Sequence, residues 1–308
     1  MKYFDLHCDT AAKCLEKGVG LYRNGLHVSL EKTEKYERWA QFFAVWIDDD
    51  LRWDAAYRYF NTVCRDFKEK LSLAGPRAPV LCRSGADLEQ AEREGRNMVL
   101  LSIEGGGALG GELSRLSAVF EAGVRMMTLT WNGPNEIGDG CKTPNADGLS
   151  AFGKEAVREM GRIGMIVDVS HLSEKGFWDV ARFVKGPFVA THSNSKAVED
   201  HPRNLTDGQF REIADRGGLA GLNLYAPLVG GKGSIEGILR HAEHFLEIGG
   251  EKTLAVGADF DGCHLKAEIR GVEDMDLLYG AMRDRFGEQI ADDVFFGNAY
   301  RFFVENLK

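Results

Sequence analysis

The sequence predicts an α/β fold, a (β/α)8 TIM barrel, and three observations predict it. Short β-branched and apolar runs alternate with amphipathic helical stretches along the chain. The runs are nearly continuous in apolar or small residues, as in Val167-Asp168-Val169 and Phe188-Val189-Ala190, the pattern of a parallel sheet covered on both faces. Histidines and acids stand where those runs end: His7, Asp9, Glu104, His171, His192 and Asp259. In a barrel every strand's C-terminal end opens on the same mouth, so residues scattered along the chain would meet there.

Eight strands are predicted, at residues 3–7, 41–46, 98–104, 125–131, 165–171, 187–193, 219–225 and 253–259. Helices fit between them at 54–74, 114–122, 153–163, 173–184, 206–216 and 234–248. Ser173 before Glu174 and Thr206 before Asp207 are suited to cap helix starts, because a side-chain oxygen there accepts an unpaired N–H. Gly164, Gly217 and Gly249 stand where a helix ends in a left-handed residue. Residues 51–87 are long for one unit and are expected to insert an extra helix and a short strand; 277–308 read as helices packed outside the barrel. At 308 residues the whole chain, 1–308, is expected to be a single barrel domain. An open doubly wound sheet also alternates strands and helices, so alternation alone does not close the barrel. No GxGxxG follows the first strand, and Gly105-Gly106-Gly107 lacks P-loop spacing and lysine, which leaves it a strand-end turn.

Hydrophobic residues at 44% and charged residues at 28% are ordinary for a soluble globular protein. A net charge of -9 excludes the basic footprint of non-specific nucleic-acid binding. No stretch approaches ~18 uninterrupted apolar residues, and Met1–His7 has no basic start followed by an apolar run, so neither a membrane span nor a leader is expected. The six cysteines form no CxxC pair and suit a reducing compartment; a cytoplasmic protein is expected.

Imidazole nitrogens and carboxylate oxygens suit zinc and related ions. His7 and Asp9, two apart on a strand end, face the same way and can chelate one ion; His171 and His192 come from neighbouring strands and can bind a second. Glu104 between them can bridge. Two cations would acidify a shared water and polarise a substrate carbonyl, with Asp259 as proton carrier and Asp261 its rival for that role. Other candidates read as structural. Cys8 alternates away from the ligands and packs, while His241 and His244 share a helix face without a carboxylate motif. His27, His201 and His264 fall in loops, and Asp5 and Asp168 lie inside strands where they make structural hydrogen bonds.

With these residues in place, the chain resembles the membrane (renal) dipeptidase family, a zinc dipeptidase branch of the amidohydrolase superfamily. The matching stretches are Asp5-Leu6-His7-Cys8-Asp9-Thr10, Ser102-Ile103-Glu104-Gly105, Asp168-Val169-Ser170-His171, Thr191-His192-Ser193-Asn194, Arg203-Asn204 and Gly257-Ala258-Asp259-Phe260-Asp261-Gly262. The resemblance implies a small-dipeptide substrate, L-Xaa-D-Xaa included, cleaved by a water that bridges two zinc ions. It implies His7 and Asp9 on one zinc, His171 and His192 on the other, and Glu104 on both. It implies Asp259 as the proton carrier, Arg203 as anchor of the substrate carboxylate, and Tyr225 near the substrate. A guanidinium fork suits that anchoring. One position departs: Trp131 stands where the mammalian enzymes have a histidine that contacts substrate. Indole cannot accept a proton, so Trp131 is expected to supply shape, stacking and one N–H. The lipid anchor of the mammalian enzymes is not expected, since the chain ends Val304-Glu305-Asn306-Leu307-Lys308 without a hydrophobic tail. Family members are often dimers, and no stretch here identifies an interface. The alternatives are a binuclear amidohydrolase acting on a lactone, cyclic amide or N-acyl amino acid, and a catalytically dead barrel that only binds a ligand.

Overall fold

The structure, a computed structural model, describes residues 1–75, 78–265 and 268–308. Residues 76 and 77, within the insertion expected at 51–87, lie outside the described residues. Named strands are β1 (Lys2–Cys8), β2 (Arg38–Trp46), β3 (Val80–Leu81), β4 (Met98–Glu104), β5 (Val124–Thr128), β6 (Ile166–Asp168), β7 (Ala220–Leu222) and β8 (Leu254–Val256). All pairings are parallel, in the order β6-β5-β4-β2-β1-β8-β7, with β3 added beside β4. The ring closes through the segment predicted as the sixth strand, because Asp168 bridges Val189 and Ala190 bridges Ala220. The predicted barrel is therefore present, with one stave reduced to isolated bridges.

That reduction has a physical cause. Beyond Ala190 side chains replace ladder partners: Thr191 N–H donates to Asp168 Oδ1 at 2.9 Å, and His192 N–H to Ser170 Oγ at 3.1 Å. The expected strand spans 165–171, 219–225 and 253–259 shorten for related reasons. Ser170 N–H turns to Asp168 Oδ1 at 2.9 Å, and Ala258 N–H to Asp5 Oδ1 at 3.1 Å. Asp5 and Asp168 thus make the structural hydrogen bonds expected of them, and in doing so end the strands.

The helices are α1 (Thr10–Lys17), α2 (Leu30–Thr33), α3 (Trp53–Ser72), α4 (Gly85–Arg93), α5 (Arg115–Glu121), α6 (Ala151–Ile163), α7 (Glu174–Phe183), α8 (Asp207–Asp215), α9 (Ala226–Val229), α10 (Ile235–Glu247), α11 (Met275–Phe286), α12 (Glu288–Asp292) and α13 (Asn298–Asn306). The sequence reading lacked α1, α2, α4 and α9. Its caps hold: Ser173 Oγ accepts from Gly176 N–H, Thr206 forms a capping box with Gln209, and Gly164 ends α6 at φ 83°. Gly105, at φ 100°, leads into a 3-10 turn over Gly106–Leu109, as its glycine run suggested.

Two apolar layers fix which end of the barrel is free. Phe4, Phe42, Leu100, Met126, Val189 and Ala255 form one buried cluster with Phe302 and Phe303 of α13. The Phe303 ring lies 4.7 Å from Phe42 and 5.5 Å from Phe4, centroid to centroid. Truncating a buried ring of this kind costs about 3–5 kcal/mol. A second cluster, containing Tyr3, Cys8, Phe43 and the inner faces of the surrounding helices, cements strands to helices. With the interior filled by side chains and α13 packed against them, chemistry is left to the opposite mouth. Among the described residues no helix is long and apolar enough to cross a membrane.

Candidate active site

The mouth holds a cavity of about 700 Å³ whose lining includes Asp9, Trp46, Glu104, Trp131, His171, Arg203, Tyr225 and Asp259. His7 and His192 lie behind it, fully buried. Every sequence-predicted site residue therefore reaches or adjoins one centre.

The route there differs from simple strand alternation. The β1–β2 register shifts between Asp5 and Cys8, so β1 carries a bulge, a device that re-aims a side chain. Phe4 and Leu6 face the inner cluster, Cys8 the outer one, and His7 at the bulge turns to the mouth. Asp9 is not in the strand at all but stands at the N-cap position of α1 without a capping hydrogen bond, and its Oδ2 lies 3.7 Å from His7 Nε2. His171 and Asp259 stand past their strands in left-handed backbone, at φ 66° and 62°. Aspartate and histidine are both among the side chains that enter that region more readily than most.

Glu104 sits at the middle. Its Oε2 is 3.5 Å from His7 Nε2, while Oε1 is 2.9 Å from His171 Nε2 and 3.6 Å from His192 Nε2. The His171 and His192 Nε2 atoms are 2.9 Å apart. Ligand atoms of His7, Glu104 and His192 form one compact group, and those of His7, Asp9 and Asp259 a second. His7 belongs to both.

Neighbours orient these rings. His192 Nδ1 lies 2.8 Å from Thr191 Oγ1 and His171 Nδ1 3.2 Å from Asn132 Oδ1, leaving each Nε2 turned to Glu104. Asn223 Nδ2 donates to Asp259 Oδ2 at 3.2 Å. Asn132 is held by a loop that passes close at Gly140, where a Cβ would strike the Trp131 and Asn132 carbonyls. Lys142 N–H also donates to Asn132 O at 3.0 Å. Thr191, Asn132 and Asn223 are supporting residues to which the sequence reading assigned no such role. The one sequence signal for Asn223 is a polar residue inside the apolar run 219–225, which is buried without exposure.

The electrostatics are those of acids and imidazoles crowded together out of water. Burial, reinforced by the charge of Asp9, pushes Glu104 up to about 7. Asp259 is pushed up to about 6 by burial, with His7 opposing and Asp9 adding to the rise. Burial works against a charge on His7, yet Glu104 and Asp9 override it and hold its pKa well above the ordinary value. Burial, then the nearby cations, puts His171 and His192 well below theirs, so both rings are neutral. Both ring nitrogens of His7 and Asp9 Oδ1 are buried without a hydrogen-bond partner among the described residues. A Cβ at Gly262 would collide with Asp9 Oδ2 and Asp259 Oδ1, so a glycine keeps that corner open. Unpartnered donors, converging lone pairs and clustered carboxylates of His/Asp/Glu type fit divalent cations.

Asp261, the rival for the proton-carrier role, also lines the cavity but is tied into its neighbours. It accepts from Thr10 Oγ1 and from His27 N–H at 2.8 Å, and its own N–H donates to His27 Nδ1 at 2.9 Å, clasping loops together. His241 is buried and structural, its Nδ1 3.1 Å from Ser195 N and its Nε2 3.0 Å from Val229 O. Arg203 is 7% exposed and makes two long hydrogen bonds, to Ser193 Oγ at 3.3 Å and His192 O at 3.2 Å. Among the described residues it pairs with no carboxylate. Trp131 meets Trp46 edge to face, centroids 5.1 Å apart, and lies 6.5 Å from the His171 ring. Tyr225, more open at 36%, stands at the rim.

Comparison with known proteins fits this geometry. The family model described as membrane dipeptidase, Peptidase family M19, matches residues 1–307. An uncharacterized protein in the pqqA 5' region of Klebsiella pneumoniae is 36% identical over 225 residues, 69% of this chain and 83% of that protein. The crystal structure of dipeptidase AC, a metallopeptidase of family M19, superposes with a TM-score of 0.92 at 28% identity, covering 100% of this chain and 98% of that one. A metallopeptidase from Rhodobacter sphaeroides, liganded with a phosphinate mimic of the dipeptide L-Ala-D-Ala, gives 0.92 at 27% identity, over 100% and 99%.

Proposed function

The chain belongs to the membrane dipeptidase family, Peptidase family M19, and from that premise we propose how it acts as a metal-dependent dipeptidase. The observation that carries the reading is Glu104, whose two oxygens face different partners, Oε2 toward His7 and Oε1 toward His171 and His192. On this reading the cations would be two zinc ions: His7 and Asp9 would hold one and His171 and His192 the other, with Glu104 able to serve both. Bound there, such ions supply Lewis acidity toward the scissile carbonyl and lower the pKa of water.

The chain's own residues do the rest. Asp259, held by Asn223, accepts the proton of the attacking water and returns it to the departing amine. Arg203, a buried guanidinium without a carboxylate partner among the described residues, receives the dipeptide's terminal carboxylate. Trp131 and Trp46, set edge to face, form an aromatic wall that bounds the substrate, and Tyr225 contacts it from the rim. The phosphinate mimic held by the Rhodobacter sphaeroides enzyme supports dipeptides with a D-residue in second place as substrates here.

The test is hydrolysis of a panel of L,L and L,D dipeptides by zinc-loaded protein. Turnover is expected, with loss on chelation and recovery on adding zinc; protein that binds no metal, or cleaves no dipeptide when loaded, refutes the reading. Arg203→Ala separates dipeptides from carboxylate-free amides and lactones. KM for dipeptides is expected to rise at least about tenfold, the scale of one charged hydrogen bond, and an unchanged KM points to the carboxylate-free class.

A further inference from the structure

We infer that Asp168, acting through the Thr191 hydroxyl, fixes the tautomer of His192 and so keeps its Nε2 lone pair turned toward Glu104. The inference rests on the metal-dependent reading above and deepens it by naming positioning residues for one proposed ligand.

Asp168 is fully buried, and its four contacts are all with donors. Oδ1 accepts from the N–H groups of Ser170 and Thr191, each at 2.9 Å. Oδ2 faces the hydroxyls of Thr128 at 2.5 Å and Thr191 at 2.6 Å. A carboxylate so surrounded acts only as an acceptor. The Thr191 hydroxyl has one hydrogen, and it is committed to Asp168. What Thr191 Oγ1 presents to His192 Nδ1, 2.8 Å away, is therefore a lone pair. Nδ1 must carry the ring hydrogen, and Nε2 must be bare. Ser170 Oγ, 3.3 Å from Thr191 Oγ1, does not reverse this, since it can add its own hydrogen to the second Thr191 lone pair.

The three histidines differ here. His171 Nδ1 meets Asn132 on a loop, and His7 Nδ1 has no hydrogen-bond partner among the described residues, whereas His192 is backed from inside the barrel by a carboxylate. The same carboxylate takes Ser170 and Thr191 N–H out of the strand ladder. One side chain thus sets both where the stave ends and how the ring beyond it is protonated.

Asp168→Asn tests the polarity of the chain almost without changing its volume. The amide oxygen must still accept the two backbone N–H groups, which puts the NH2 against the threonines. Thr191 then accepts from the amide and turns its hydrogen to His192 Nδ1, driving the ring hydrogen onto Nε2. Thr191→Val removes the acceptor outright, and Thr191→Ser keeps it.

The measurement is the 15N spectrum of the His192 ring in metal-free, full-length protein near pH 8, with Co2+ titration of each variant alongside. The parent and Thr191→Ser are expected to show hydrogen on Nδ1. Asp168→Asn and Thr191→Val are expected to show it on Nε2 and to bind Co2+ about 10–100-fold more weakly, the scale of outer-shell effects. A parent ring with its hydrogen on Nε2 overturns the inference without any variant having to fold. So does an Asp168→Asn protein that keeps the Nδ1 hydrogen and parental Co2+ affinity. A parent that cleaves dipeptides while showing the wrong tautomer leaves the dipeptidase reading standing and removes this one.

Discussion

Asp259 occupies left-handed backbone without glycine's freedom, and two groups keep it there usefully: Ala258 N–H is drawn to Asp5 Oδ1, and Asn223 Nδ2 holds the carboxylate. Position and chemistry can be separated at this residue, because an amide has the carboxylate's shape and can still accept from Asn223. Asp259→Asn is expected to lower kcat by about 10²–10⁴, the range of a lost general acid–base, with metal content retained. Parental turnover in that variant would take the proton-carrier role away from Asp259. Trp131 is the contrasting case. Indole supplies no proton transfer, and its ring stands on Trp46 beside His171, so its contribution is to the shape of the wall. Residue type singled out Glu104, His171 and His192, since an acid and two imidazoles at strand ends can share a cation. It did not announce Thr191 or Asn223, whose hydroxyl and amide act only through a neighbour that the chain brings close on folding.

Strands and their ends carry the geometry of the site. Apolar runs and cap residues made the alternation of strands and helices readable, and the eight staves lie where the runs lie. The run lengths were misleading, because a continuous apolar stretch such as 187–193 does not reveal that Asp168 and Ser170 side chains will take the N–H groups of Thr191 and His192. Nor did the spacing of His7 and Asp9 show the bulge in β1 or the helix that begins at Thr10; the two residues meet, but by a bulge and an N-cap position. The short helices escaped notice because one or two turns offer too little periodicity to read. The turn after β8 illustrates how tightly such ends are set. A Cβ at Gly262 would press on Asp9 and Asp259 together, and no positive φ is needed there, so alanine is barred only by what it touches. Gly262→Ala is expected to weaken metal binding about 10–100-fold, as losses of supporting structure do, while the far-ultraviolet circular dichroism stays parental. Unchanged metal affinity would mean that the Asp9–Asp259 corner is not part of the cation site.

At the scale of the whole molecule, the mouth of the barrel gathers charges that the fold tolerates only together with something positive. In metal-free protein Glu104 is raised to about 7 and Asp259 to about 6, so the folded chain holds protons that the unfolded chain has released. Stability then falls as pH rises through those values. His7, raised by Glu104 and Asp9 against the effect of burial, acts in the same direction: its contribution is present below 6.5 and is lost as pH climbs through its folded value. His171 and His192 are depressed by burial and act oppositely, their contributions being present above 6.5 and lost as pH falls. Above about pH 6.5 these two histidines add no slope, and only the destabilising trend remains. Bound cations would take the place of those protons and remove the dependence. The Tm difference between metal-loaded and chelated protein is accordingly expected to widen from about pH 6.5 to about pH 8, by roughly 2–4 °C for each kcal/mol that the empty site loses. Thermal scans at matched ionic strength measure it directly. A difference that stays level or narrows over that window would mean that the acids at the mouth are neutralised from within the protein, and that the barrel was not built around cations.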